Sequence, residues 1–152
     1  ATSHGSALDV AACRNDLERT MRQWVYQKVV ACSGLGIPDM SIFMAGSAGL
    51  KGEGPTRPFI VIRGQIKQPA LTPSWPFSNQ LYQIWVHDQQ GSMTRIDGAL
   101  SALRSQLPAF APADFGGKEV RCFDWQMDSD DLYDDHYKTS TRHGDFLMVH
   151  NG

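Results

Sequence analysis

Val10, Cys13, Leu17, Met21, Trp24 and Val25 recur at three- and four-residue spacing, which places all six on one stripe of an amphipathic helix. Arg14, Glu18, Arg19 and Arg22 fall on the other side. Ser6 and Asp9 form a weak capping pair at the start, a hydroxyl and a carboxylate that can satisfy free amides and complement the positive helix end. Gly34 and Gly36, with Pro38 just beyond, are a stop signal. The pattern predicts a helix from about Ser6 to Cys32.

The segments that follow alternate between strand and loop patterns. Six glycines and three prolines between Gly34 and Pro58 predict a long loop over about 34–58, with room for one short strand near Ile37 and Ser41–Met44. A loop of that length in a compact domain usually has a use. Phe59-Ile60-Val61-Ile62-Arg63 is a β-branched run, expected as a buried strand. Gln65–Asn79 carries Pro69, Pro73 and Pro76 and reads as a second loop, about 65–79, bearing Trp75 and Phe77. From Gln80 to Asp88, Tyr82, Ile84 and Val86 alternate with Gln83, Trp85 and His87, the period of a half-covered sheet.

Ser92 is the expected N-cap of a second helix, whose stripe is Met93, Ile96, Leu100, Leu103 and Leu107 and whose end is Pro108. Gly116-Gly117 turns into a strand from Lys118 to Met127, with Val120 and Cys122 on one face and Arg121, Phe123, Trp125 and Met127 on the other. Asp128–Asp135 reads as an acidic turn. His136–His150 is a last strand or strand pair, broken at Gly144. The expected fold class is α+β: a mainly antiparallel or mixed sheet of four to five strands with two long helices packed on one face, in a single domain over residues 1–152.

Composition narrows the function classes. At 152 residues, a chain can bury a hydrophobic core without staples. Fourteen Lys and Arg against sixteen Asp and Glu give a net charge of -2, without the basic excess of a general nucleic-acid binder. No run of 18 apolar residues suggests a membrane span. No charged-then-apolar segment suggests a secretory signal. Cys13, Cys32 and Cys122 form an odd set with no CxxC pair, and are expected as reduced, mostly buried thiols of a cytosolic product.

Candidate chemistry finds little local support. Gly46-Ser47-Ala48-Gly49 lacks the spacing of a nucleophile elbow. Lys51-Gly52-Glu53-Gly54 lacks the order of a phosphate loop. Asp128, Asp130, Asp131, Asp134 and Asp135, with His136, concentrate oxygen ligands suited to a hard cation. They miss the EF-hand order, so a solvated turn is the simpler reading. His4, His87, His136, His143 and His150 are scattered, without the spacing of a zinc site. A Cys122/His143 pair would need a reactive thiolate where the alternation places an inward one. No catalytic, cofactor-binding or metal-ligating residue is assigned, and no enzyme activity is expected. Trp75, Phe77, Trp85 and Trp125 stand out instead. Such aromatics either close a second small core or mark a protein–protein contact, and with the two loops they suggest a self-assembling or docking module.

Gln83-Ile84-Trp85-Val86-His87-Asp88, running through Gly91-Ser92 into Arg95-Ile96-Asp97-Gly98-Ala99-Leu100, resembles the tail terminator (tail completion) proteins of long-tailed siphophages, particularly those infecting actinobacteria. Pro58–Arg63 is similar to the strand that follows a Gly/Pro loop in that family, and Thr139–Phe146 to its closing strand. The resemblance covers most of the chain from Trp24 onward. It implies a structural virion protein: a homo-hexameric ring capping the head-proximal end of the tail tube. The implied partners are further copies of the chain, the major tail tube protein and the head completion or stopper protein of the neck. Double-stranded DNA would pass through the lumen without sequence-specific binding, and no membrane or cofactor is involved. The implied location is the tail–neck junction of the virion, after synthesis in the host cytoplasm.

Elementary physics is compatible with that expectation. A domain of this length has a radius of gyration of roughly 15 Å, too small to enclose a duplex alone, so a channel needs several copies in cyclic symmetry. The sheet would supply contacts between subunits, and the two loops would dock neighbours. Three rivals remain at this point: a head completion or stopper protein of the same neck; a small metal-dependent enzyme using the acidic turn and His136; and a nucleic-acid module with stacking aromatics.

Overall fold

The computed structural model describes residues 21–45, 56–65 and 76–152. The first helix, α1, covers 21–31 within that set and is followed by Gly34 and Gly36, both with positive φ. A 3-10 turn at Asp39–Ser41 leads into β1, Ile42–Met44. Then come β2, Phe59–Gly64, and β3, Ser78–Asp88. Helix α2 spans Met93–Gln106 and continues into a 3-10 turn at Leu107–Phe110, where Pro108 sits. The remaining strands are β4, Ala113–Phe115; β5, Lys118–Asp128; β6, Leu132–Asp134; and β7, Thr139–His150.

The seven strands form one sheet in the order β1-β2-β3-β7-β5-β4, with β6 also on β7. Among the described strands only β1 and β2 are parallel. The 12-residue β7 is the axis of the sheet. One side of it pairs with β3 from Ser140 to His150, and the other is shared by β6 and β5. Residues β5 and β6 therefore run in the same direction along one side of β7, separated by a short irregular step at 129–131.

Both helices cover the face that carries Ile60, Ile62, Tyr82, Ile84, Val86, Phe146 and Met148. Helix α1 adds Met21, Trp24, Val25 and Val29; α2 adds Ile96, Ala99, Leu100 and Leu103. All are buried. Phe123 joins Trp24, Tyr82 and Phe146 through ring contacts at 5.6, 6.1 and 5.3 Å, the offset and edge-on arrangements that aromatic groups prefer.

The α+β expectation of four to five strands with two long helices is corrected by this architecture. Among the described residues, seven strands in one curled sheet make the fold mostly β, at 44% strand, and α2 has 14 residues. The strands missed, β4 and β6, have three residues each, too few to show a period of two. β4 lies between Pro112 and the Gly116-Gly117 turn, and β6 lies inside what reads as an acidic turn. Both glycines of that two-residue turn have positive φ, at 60° and 79°, as a tight hairpin between β4 and β5 requires.

The last strand is likewise unbroken at Gly144, which pairs with Ile84 on one side and Asp128 on the other. A Cβ there would stand 3.2 Å from Phe146 and 3.3 Å from Asp128, tight contacts within the sheet, and 3.6 Å from Leu100 of α2, an ordinary contact. Gly64 has a similar relation to its partner Tyr82: an added Cβ would lie 2.9 Å from the buried ring. Gly64→Val is expected to cost about 1–3 kcal/mol through displacement of that ring. Thermal unfolding of the variant checks this, and an unchanged Tm would show that the ring yields freely.

Candidate functional site: the open edges of the sheet

The face of the sheet away from the helices carries a packed polar and aromatic cluster. Phe59, His87 and Thr141 form one cross-strand row and Val61, Trp85 and His143 the next. Phe59 stacks on His87 at 4.5 Å, and Tyr137 meets both rings edge-on. His87 Nδ1 shares a 2.8 Å hydrogen bond with Thr139 Oγ1. Burial holds the His87 pKa down at about 4, against which Asp134 pulls upward and Arg63 adds to the depression. His87 is therefore neutral at pH 7 and belongs to a second small core.

Beside it, His143 Nδ1–H donates to Asp145 Oδ1 at 2.5 Å, and Trp85 lies 4.2 Å from the His143 ring. Arg63 stands over the opposite part of this row, 6.0 Å from Trp85. The pair orders the middle of the sheet face, and the Ser129 hydroxyl beside it is engaged with backbone, accepting from the His143 amide at 3.0 Å and donating to the Asp130 carbonyl at 2.9 Å.

The acidic segment is engaged in local structure. Asp128 accepts hydrogen bonds from Arg104 Nη1 at 3.1 Å and Trp125 Nε1 at 2.8 Å. Asp134 Oδ1 accepts from the Tyr137 amide at 2.8 Å. Asp131 lies 3.6 Å from Arg142 Nε. Among the described residues no group of three or more His, Cys, Asp or Glu is arranged to hold a metal ion, and no helix is long and apolar enough to cross a membrane.

Cys122 and His143 are not brought together. Cys122 pairs with Val149, six positions along β7 from His143, about 20 Å at strand rise. Burial raises the Cys122 pKa, with Asp124 adding to it, and Cys32 is pushed up to about 11 by burial alone. Neither thiol is activated. Cys13, the two Gly-rich motifs at 46–49 and 51–54, and Trp75 lie outside the described residues.

The other singled-out aromatics have three different fates. Phe77 is buried beneath the Arg121 guanidinium at 5.0 Å. Trp85 is half-buried in the sheet-face cluster. Trp125 is 38% exposed, with Arg104 over its ring at 5.2 Å.

Trp125 belongs to a pattern that sequence reading missed. The five exposed large hydrophobic residues among those described are Met40, Trp125, Met127, Leu132 and Tyr133. All five stand at the margins of the sheet. Four line the outer side of β5 and β6, where β4 pairs only with Lys118, Glu119 and Val120 and no other described strand follows. The fifth, Met40, is 82% exposed and lies beside β1 at the opposite margin. There Tyr26, Ile42, Phe43 and Met44 join it in lining an open groove of about 500 Å³, with Arg22 the one charged lining residue among those described. The signal that could have revealed the pattern is the apolar content of the acidic segment: Leu132-Tyr133 is odd in a fully solvated turn.

Neither a protein-family model nor a curated protein matches this chain in sequence.

Proposed function

We propose that this chain is a tail terminator: a structural virion protein whose six copies close into a ring on the head-proximal end of the tail tube. The ring stops tube polymerisation and offers the docking surface for the head completion protein, while DNA passes through its lumen. The protein works by shape and performs no bond chemistry. The observation that supports this reading best is the placement of the exposed apolar side chains at two opposite margins of one sheet. Two different sticky surfaces on opposite sides of a subunit make heterologous contacts, which generate a ring where the rotation between neighbours closes and a filament where it does not. The resemblance supplies the number six and the position in the tail.

A chain that lines a DNA passage should not grip it, since every neutralised phosphate adds salt-sensitive affinity. The net charge of -2 is in keeping with sliding. The measurement that tests the reading is electron microscopy of virions labelled on this protein. The expected result is six copies at the junction between tail tube and capsid. A junction without it, in particles that otherwise contain it, would overturn the proposal; binding to the portal side in preference to tube would move it to the stopper reading.

A further inference from the structure

We propose that the segment from Leu132 to Thr139 is an acid-released flap, which the neutral imidazole of His87 holds closed on the sheet. The device does not depend on assembly. Both ends of the segment are fixed. Ser129 donates its amide to the His143 carbonyl at 2.8 Å, and its own carbonyl accepts from Arg142 Nε at 2.9 Å. At the other end Ser140 pairs with Asp88 of β3, and its hydroxyl accepts from the Gly91 amide at 2.9 Å. Between these points the chain goes out along β6 and returns through a turn in which Lys138 has a φ of 58°, a left-handed conformation that costs a residue with a side chain. Leu132, Tyr133, Asp135, His136 and Lys138 are all exposed. Lifting the segment therefore gives up little apolar burial, which places it among the parts of a fold that open cheaply.

What the flap covers is His87. Its Tyr137 meets the His87 and Phe59 rings edge-on at 5.3 and 5.1 Å, and its Thr139 shares the 2.8 Å bond to Nδ1. Under it His87 and Phe59 are both buried, so an imidazolium there would face ring carbon in place of water. Of the charged groups around the ring, Asp134 of β6 draws a proton toward it and Arg63 of β2 opposes one. Arg57 donates to the Tyr137 carbonyl, and His136 packs edge-on against Tyr137 at 4.8 Å. His143, on the next row of β7, is engaged with Asp145. Lifting the flap brings His87 into water, where it takes up a proton at its ordinary pKa of 6.5, against about 4 when covered. Between those values the lifted state binds more protons than the closed one, so falling pH favours opening; outside them the balance is level. The opening constant rises roughly 50-fold between about pH 7 and pH 4.5.

Amide hydrogen exchange of the full chain, corrected for the intrinsic pH dependence of exchange, tests the device. The amides to follow are those of β6 and of Tyr137, which donates to Asp134 Oδ1. The expected result is a rise in their opening constant of roughly 50-fold from about pH 7 to pH 4.5. That opening is expected to be insensitive to about 1 M urea, because a lifted flap exposes far less surface than unfolding does. His87→Phe is expected to abolish the rise. Thr139→Val keeps the titration and removes the latch bond, and is expected to raise opening about 5-fold or more at both pH values. Opening that shows no rise, that follows urea as steeply as the exchange of α2 and β3, or that still rises in His87→Phe would overturn the inference. If His87→Phe does not fold, Thr139→Val decides: opening equal to that of the wild type overturns it.

Discussion

Phe123→Ala is expected to destabilise the protein by about 3–5 kcal/mol, the range for removing a large aromatic from a core. Phe123 is fully buried and touches three other core rings, on α1, β3 and β7, so its truncation opens a cavity where the first helix meets the sheet. The neighbouring Cys122→Ala is expected to cost less than about 1 kcal/mol, because Cys122 is on the other face and only part-covered. Equilibrium unfolding in urea measures both. The contrast between adjacent residues is the informative part: equal losses would mean that β5 does not have the facing described above.

Acidification is expected to weaken the fold through His87 by about 2–3 kcal/mol between pH 7 and pH 4.5. The ordinary histidine pKa of 6.5 falls to about 4 in the folded chain, mainly through burial. Between those two values the unfolded chain binds the extra proton and the folded chain does not, so stability rises with pH across the window. The contribution of neutral His87 is intact above about pH 6.5 and is lost as pH falls toward 4; below 4 both states are protonated and the dependence ends. His87→Phe keeps a ring against Phe59 and Trp85 and removes the titration, at a cost of about 1 kcal/mol for the Thr139 hydrogen bond. Its stability is expected to fall less than that of the wild type over the same interval. Parallel curves for the two proteins would place the acid sensitivity elsewhere.

These two residues also mark how far the fold can be read without coordinates. The β-branched run at 59–63, the alternation at 80–88 and the stripe of α2 are strong periodic signals, and each corresponds to an element of the structure. Strand β5 has an equally apolar segment, yet its faces cannot be assigned by counting. A register shift between Val120 and Cys122 leaves Arg121 as the extra residue, so Val120 and Phe123 both point at the helices. Period-two counting separates them. A second shift, between Trp125 and Met127, reverses the faces again. Bulges of this kind have no local sequence signature.

His87 illustrates a different difficulty. Alternation places it on the side away from the helices, which is where it is, but alternation implies half-exposure. Its burial comes from Phe59, one strand away, and Tyr137, fifty residues on in the chain; pairing at that separation is not visible in a local pattern. The open edges were illegible for the same reason. Which strands lie at the margins of a sheet is a property of topology, and β7, last in the chain, takes the central place.

That placement has a consequence for biosynthesis. Strands β3 and β5 cannot join until β7 has been made, because neither pairs with the other. While residues 139–150 are still inside the ribosome, the nascent polypeptide holds two unfinished fragments with raw hydrophobic surfaces, and closure must await those twelve residues. Such late, long-range zippering is slow and gives chaperones a prolonged interval in which to bind.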